Sequence, residues 1–326
     1  MYTLRVGPDG AGHMIKTVLQ HELRMSRRLQ RALIKSGGVS RNGQPARLID
    51  RVEAGDWLTV ELPAEVSSLM PEPMPLDIRY EDAEILVVNK PPGVLAHPSA
   101  HERSGSLLAG VLDYLQPHGQ VAHTVHRLDR DTSGLLMFSK TSHSHHLFDI
   151  ALREGAVHRA YFAIVHRLTE AAFSSTLPGP WQTISLPIGP NPSRPSRRII
   201  SADGQEAITH YRVVGQAGRL AALQIHLETG RTHQIRLHCA AMGMPLVGEA
   251  DYTADYSIMP VAKTEPVAFP RQALHAYQLT WTHPVDGTQR QVQAEPPEDM
   301  RRLWTDEGGD DALWAWAMSL PLEKPV

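Results

Sequence analysis

From Leu76 onward the chain is a succession of short apolar runs, each cut by a turn, with helical stretches entering at irregular intervals. Leu76-Asp77-Ile78-Arg79-Tyr80 and Ile85-Leu86-Val87-Val88 flank a polar turn, and Pro91-Pro92-Gly93 ends the second run. Further strands are predicted at 121–127, 134–139, 158–166, 207–214, 219–228 and 274–281, and helices at 106–116, 143–154 and 231–242. A regular strand-helix alternation would build a parallel doubly wound sheet. This order does not alternate, so the expectation is an α+β fold around a mixed sheet.

Upstream, the chain reads as a small separate module. Residues 13–36 predict two helices, the second capped by Ser26 and stopped at Gly37-Gly38. That helix has a narrow apolar face of Leu29, Leu33 and Ile34, and Arg27, Arg28, Arg31 and Lys35 fill much of the rest. Strands are expected around Val39-Ser40-Arg41, ended by the tight-turn pair Asn42-Gly43, and at 58–62. Pro63 to Pro75 holds four prolines and no aromatics, the composition of an interdomain linker. The expected organisation is a module at 1–62, a linker at 63–75, a large unit at 76–290 and a tail at 291–326. The tail places Trp304, Trp314 and Trp316 among eight acids, and packing of these aromatics on the body is the expected use.

With 42% hydrophobic residues in 326, the chain can bury a sizeable core, which excludes global disorder. The single cysteine, Cys239, excludes an internal disulfide and any multi-cysteine zinc site, and fits a reducing compartment. It falls in a helical pattern, where a small buried hydrophobe is expected over a nucleophile. Met1-Tyr2-Thr3-Leu4-Arg5 does not open a signal peptide, and no apolar run approaches the length that crosses a bilayer. A cytoplasmic protein with no membrane partner is expected. The net charge of −3 hides an uneven distribution: residues 1–62 carry 10 bases and 6 acids, residues 186–240 carry 7 and 3, and residues 291–326 carry 3 and 8. Fields are screened within about 8–10 Å at physiological salt, so such local basic regions permit a polyanionic partner.

Neither a G-x-x-x-x-G-K-[ST] loop nor a G-x-G-x-x-G after a strand occurs, so no nucleotide cofactor is expected. His143, His145 and His146 form the densest histidine cluster but lack the His-Glu-x-x-His spacing of a helical zinc site, and no metal is expected.

Two segments stand out chemically. In His126-Arg127-Leu128-Asp129-Arg130-Asp131-Thr132-Ser133-Gly134, an acid lies between two arginines at a strand end. Asp131, Thr132 and Ser133 suit bonds to backbone amides within the turn. Asp129 is the free carboxylate, and cations within a few ångströms would keep it ionised. In Leu227-Glu228-Thr229-Gly230-Arg231-Thr232-His233-Gln234-Ile235-Arg236-Leu237-His238, Gly230 ends a strand and the helix after it offers amide donors with Arg231 and Arg236. Such a start can meet a phosphate or support a carboxylate, and a basic surface helix is the alternative.

Together these segments resemble the signature motifs of the RluA family of pseudouridine synthases. Three further stretches resemble it in matching order: Ile85 to Gly93 with His97-Pro98, His158-Arg159-Ala160-Tyr161-Phe162-Ala163, and Ala273-Leu274-His275-Ala276 with His283-Pro284. Residues 1–62 are similar, less sharply, to the S-four-like RNA-binding domain often fused to these enzymes. The resemblance implies an α+β pseudouridine synthase fold, with a mixed, mainly antiparallel sheet and flanking helices. It also implies an isomerase, without cofactor, that moves the glycosidic bond of a uridine in structured RNA from a ring nitrogen to a ring carbon. Ribosomal RNA is favoured over tRNA, and a monomer is expected.

By position, Asp129 corresponds to the catalytic aspartate, Tyr161 to the tyrosine that stacks on the target base, and Arg236 to the basic partner of the acid. Ile235 matches the apolar residue lining the pocket and Arg127 the arginine that holds the base out of its helix. Arg231, His233 and Gln234 are expected at the substrate, and Arg27, Arg28, Arg31 and Lys35 on RNA. A uridine inside a duplex must be flipped out to be reached. One departure is Gly248-Glu249-Ala250-Asp251-Tyr252, where the family commonly has Gly-Asp near a Tyr; it touches no expected catalytic position. Two rival readings are an RNA-binding protein that kept the fold without the chemistry, and a hydrolase pairing Asp129 with Asp131 on one strand face.

Overall fold

Leu86 and Val88 point to one side of their strand and Ile85 and Val87 to the other, yet all four are fully buried, so this sheet is covered on both faces. The computed structural model describes residues 1–99, 101–167, 176–258 and 265–322. The N-terminal module comprises β1 (Tyr2–Arg5), α1 (Ile15–Glu22), α2 (Arg27–Ser36), β2 (Val39–Arg41), β3 (Gln44–Pro45) and β4 (Trp57–Val60). The large unit begins with β5 (Ile78–Glu81), β6 (Ile85–Lys90), α3 (Leu107–Leu115), β7 (His123–Thr124), β8 (Ser133–Ser139), α4 (Ser142–Arg153) and β9 (Val157–His166). It continues with β10 (Gln182–Ser185), β11 (Ile188–Pro190), β12 (Arg198–Ile200), β13 (Ile208–Ala217), β14 (Leu220–Leu227) and α5 (Gln234–Ala241). The last elements are β15 (Leu274–Thr282), β16 (Gln289–Gln293), α6 (Glu298–Asp306) and α7 (Ala312–Ser319).

The main sheet runs β10-β13-β14-β9-β15-β8-β6-β5, with β16 added beside β15 and β7 beside β8. Within it, the β8–β15 pairing is parallel and the rest are antiparallel, the mixed, mainly antiparallel sheet expected. At that parallel join Gly134 has φ +114°, and a Cβ there would lie 2.3 Å from the Ala276 carbonyl oxygen, so only glycine lets the strands approach. One apolar cluster joins Leu86, Val88, Phe138, Tyr161 and Ile225 to Val111 of α3 and Ile235 of α5. A second packs Trp304 and Trp314 of the tail on Phe162 and Tyr277, whose rings stack at 3.9 Å. Burying one side chain such as Phe162 is worth roughly 1.5–3 kcal/mol, so the tail belongs to the core. Trp316 remains partly exposed.

In the N-terminal sheet, β1-β4-β2-β3, the core is Ile15, Leu19, Leu33, Leu58 and Val60. Ser26 caps α2 by accepting from the Leu29 amide at 3.2 Å, and Gly37 ends it with φ +69°. The module meets the large unit through the Tyr2 hydroxyl, which donates to Glu84 at 2.7 Å, and through an edge contact of Tyr2 on His143. Residues 63–75 contain no regular element but are strapped down. Glu65 accepts from the Ser142 amide at 2.8 Å, Glu72 accepts from the Gly105 amide at 2.6 Å, and Met74 lies over Gly110.

The strand expected at 121–127 is short, because β7 stops at Thr124 and residues 125–132 form a loop. Arg127 faces His97, Asp129 faces Arg236 and Arg130 pairs with Glu102, all outside any ladder, so alternation has no face to bury. The helix expected from 231 starts at Gln234, because His233 adopts a left-handed φ of +59° as its cap.

Candidate active site

The 125–132 loop is held by its backbone. The Arg130 carbonyl accepts from Lys90 Nζ at 2.7 Å and from the Gly93 amide at 3.0 Å. Arg271 Nη1 donates to the Asp131 carbonyl at 3.1 Å, and Asp299 at the start of α6 grips the same guanidinium with two bonds, 2.7 and 2.9 Å. Thr132 and Ser133 bond outward, not to turn amides as expected: Thr132 Oγ1 accepts from Gln272, and Ser133 Oγ donates to His275 Nδ1 at 2.9 Å. Burial holds His275 neutral, its pKa pushed down to about 4, and its other nitrogen donates to the Ala294 carbonyl. These anchors fix the loop's backbone, and the Asp129 side chain lines the open cleft.

Arg236 Nη1 donates to Asp129 Oδ2 at 3.1 Å, and no described residue hydrogen-bonds Oδ1. One carboxylate oxygen is therefore fixed while the other is presented. Arg236 is itself fixed by two 2.7 Å bonds to Glu249 and one of 3.1 Å to Asp251, with the Tyr252 ring at 5.4 Å. Burial would lower the pKa of this guanidinium, but the bonds and charge of Glu249, joined by Asp129, raise it above its ordinary value. Arg236 thus stays charged throughout the working range, a fixed cation beside Asp129.

Gly248 shapes the loop that carries these acids. It has φ +74°, and a Cβ there would lie 1.9 Å from the Arg271 carbonyl oxygen. The Pro270–Leu274 stretch therefore supports the Asp129 loop with the Arg271 side chain and the Glu249 loop with its backbone.

The cleft in front of Asp129 has a volume of about 1480 Å³. That exceeds the roughly 300–1,000 Å³ of typical small-molecule sites and suits a segment of a macromolecule. Tyr161 lines it from β9 and Ile235 from α5, both 4% exposed, and burial raises the Tyr161 phenol's pKa. His233 Nε2 stands 3.9 Å from Asp129, while its Nδ1 is 2.8 Å from the Tyr252 hydroxyl. Arg127 is exposed at the mouth, with Nη1 3.3 Å from His97 Nε2. Arg231 is exposed on the same rim and donates to the Glu206 carbonyl.

Gln234 also lines the cleft, with its side-chain amide engaged within the protein. It is buried, accepts from Thr229 Oγ1 and the Arg231 amide, and donates to the Ile208 carbonyl and Thr209 Oγ1. With both ends of its amide engaged, it closes the turn before α5. Arg27, Arg28, Arg31 and Lys35 are exposed on α2, in the separate module. Asp129 and Asp131 lie in a loop, so the strand-face geometry of a paired-carboxylate hydrolase does not arise. Cys239 is buried, its thiol pushed up to about 12, and is no nucleophile. His143 is buried against Tyr2, and no group of three metal-ligating side chains assembles among the described residues.

Lys90, Glu249, Asp251 and Tyr252 complete the constellation without having been singled out for it. The first lay in a motif stretch and the others in the apparent departure, so a signal was present. Lys90 is fully buried and donates to the carbonyls of Pro91, Val94 and Arg130. Burial lowers its pKa from 10.5 to about 7, against the pull of Asp131 and Asp129. Between these two values the unfolded chain holds a proton that the folded chain has released, so raising the pH stabilises the fold. Relative to Lys90→Met, the wild type is expected to gain up to about 1.4 kcal/mol per pH unit in that window. Urea unfolding of both proteins at about pH 6 and about pH 9 measures it, and a constant difference would refute it.

The family model described as RNA pseudouridylate synthase matches residues 84–241. The chain is 37% identical over 288 residues to the uncharacterized RNA pseudouridine synthase YjbO of Bacillus subtilis, covering 86% of this chain and 95% of that one. It is 36% identical over 318 residues to ribosomal large subunit pseudouridine synthase D of Xylella fastidiosa, covering 94% and 93%. Among solved structures, human RNA pseudouridylate synthase domain containing 1 shares the fold, with a TM-score of 0.51 at 24% identity over 68% of this chain and 85% of that one. The motif segments, the sheet that brings them together and this likeness over most of the length place the chain in the RluA-like family of RNA pseudouridine synthases, isomerases that act on RNA.

Proposed function

We propose that the enzyme isomerises specific uridines in ribosomal RNA, with tRNA as the alternative substrate, acting as a cytoplasmic monomer through Asp129. The reading rests on one observation above all: Asp129 has one oxygen held by Arg236 and the other free toward the cleft. A carboxylate aimed in this way can attack as a nucleophile or remove a proton. In the overall change, the bond from the sugar to a ring nitrogen breaks and a bond from the sugar to a ring carbon forms. The carbon loses its proton and the nitrogen gains one.

Tyr161 supplies a face for the flipped base, Ile235 closes the pocket, and Arg127 at the mouth occupies the space the base has left. His233 sits within reach of Asp129 as a further polar contact for the substrate. The module at 1–62 adds RNA affinity through Arg27, Arg28, Arg31 and Lys35, whose charges meet no acid among the described residues. Relatives named as ribosomal large subunit synthases support the choice of ribosomal RNA.

The test is to incubate the purified protein with unmodified large-subunit ribosomal RNA and with tRNA, then map pseudouridine at nucleotide resolution. Pseudouridine at one or a few ribosomal positions is the expected result. Conversion of tRNA alone would overturn the ribosomal assignment, and conversion of neither would overturn the reading of the cleft.

A further inference from the structure

Arg159 is a largely buried cation with no counter-ion among the described residues. It stands two residues before Tyr161 on β9, lines the same cleft and is 8% exposed. Its Nε is buried without a hydrogen-bond partner, and its guanidinium makes no hydrogen bond or ion pair with any described residue. The head lies against the turn that opens α5: a Cβ added at Gly230 would stand 2.7 Å from Arg159 Nη1, so glycine is what gives the guanidinium its place. Beside it, His126 has an unpartnered Nδ1, and burial followed by the charge of Arg159 depresses its pKa to about 3. A guanidinium cannot relieve its burial by losing a proton, and an unpaired buried charge is among the costliest groups a fold can keep.

We propose that Arg159 and the Gly230 turn form a phosphate subsite, which takes a backbone phosphodiester next to the uridine seated on Tyr161. This assignment rests on the reading of the cleft as the site of a flipped uridine. The planar fork of arginine matches two oxygens of a phosphate. Arg231, exposed on the same rim, adds to the field. Substrate binding thus supplies the counter-charge that the described residues lack, and it ties the ordering of the backbone to the placement of the base.

The test uses the full chain and an unmodified large-subunit ribosomal RNA transcript. Arg159→Gln is expected to weaken RNA binding roughly tenfold or more. It is also expected to make the salt dependence shallower by about 0.7–0.9 in the slope of log affinity against log salt, the share of one phosphate. Its melting temperature without RNA is expected to equal or exceed that of wild type, since the variant removes an unpaired buried charge. Arg302→Gln removes a surface charge on α6 and is expected to change neither quantity. An unchanged slope, or an Arg159→Gln protein that melts lower or fails to fold, would overturn the subsite. Inorganic phosphate is expected to leave the melting temperature of wild type unchanged. A rise in wild type that Arg159→Gln lacks would assign the site to the free ion and overturn the backbone assignment. If wild type itself converts no uridine, the reading of the cleft fails; if it converts and only the slope is unchanged, the subsite alone fails.

Discussion

Asp129→Asn is expected to fold and bind RNA as wild type does and to lose about 10⁴-fold or more in the rate of pseudouridine formation. The substitution keeps the shape of the side chain, and an amide oxygen can still accept from Arg236 Nη1. Arg236 keeps Glu249 and Asp251, so no buried cation is stranded and the fold loses little. What disappears is the negative charge on the free oxygen, which both nucleophilic attack and proton removal require. Removing an acid from a cleft that faces phosphates favours RNA binding if it changes it at all. Three measurements on the same preparation check this: a melting curve, filter binding of ribosomal RNA, and nucleotide-resolution mapping over a time course. A variant as active as wild type would remove Asp129 from the mechanism.

The sequence was informative where one residue's surroundings lie close along the chain. The Ser26 cap and Gly37 stop of α2 follow local rules and appear where expected. So do most strands of the large sheet, because a short apolar run bounded by turns admits few other uses. Non-local support was not legible in the same way. Thr132 and Ser133 looked like turn residues, but their partners are Gln272 and His275, about 140 positions away. Gln234 is expected at the substrate by resemblance, and nothing in the order of residues shows that its amide also bonds Ile208 and Thr209. Glu249 read as a departure of no catalytic consequence, because nothing in the order of residues says that its carboxylate faces Arg236. The proline-rich stretch reads as a linker, and its composition does not show that Glu65, Glu72 and Met74 each find a fixed partner on the large unit.

Glu249→Ala is expected to lower both stability and turnover while leaving KM for RNA near its wild-type value. The Glu249 side chain is 1% exposed and makes two 2.7 Å bonds to Arg236. It also accepts from the Asp251 amide at 2.8 Å, so it closes its own loop as well as holding the guanidinium. Removing one partner of a buried pair costs about 3–5 kcal/mol. Asp129 and Asp251 still face Arg236, which points to the lower end of that range and a fall in melting temperature of roughly 4–6 °C. Without Glu249 the guanidinium is free to turn toward Asp251, and Asp129 then loses its fixed orientation. Supporting residues of this kind commonly carry about 10–100-fold in activity, and a loss of that size in kcat is expected. Glu249→Asp keeps the charge but falls short by one methylene, so it should recover part of the stability and of the turnover. That graded recovery separates orientation of Arg236 from simple loss of the fold, because a protein that merely unfolds more readily would regain full kcat once assayed well below its melting temperature. Wild-type kcat in Glu249→Ala at such a temperature would show that Asp129 needs no support from this loop.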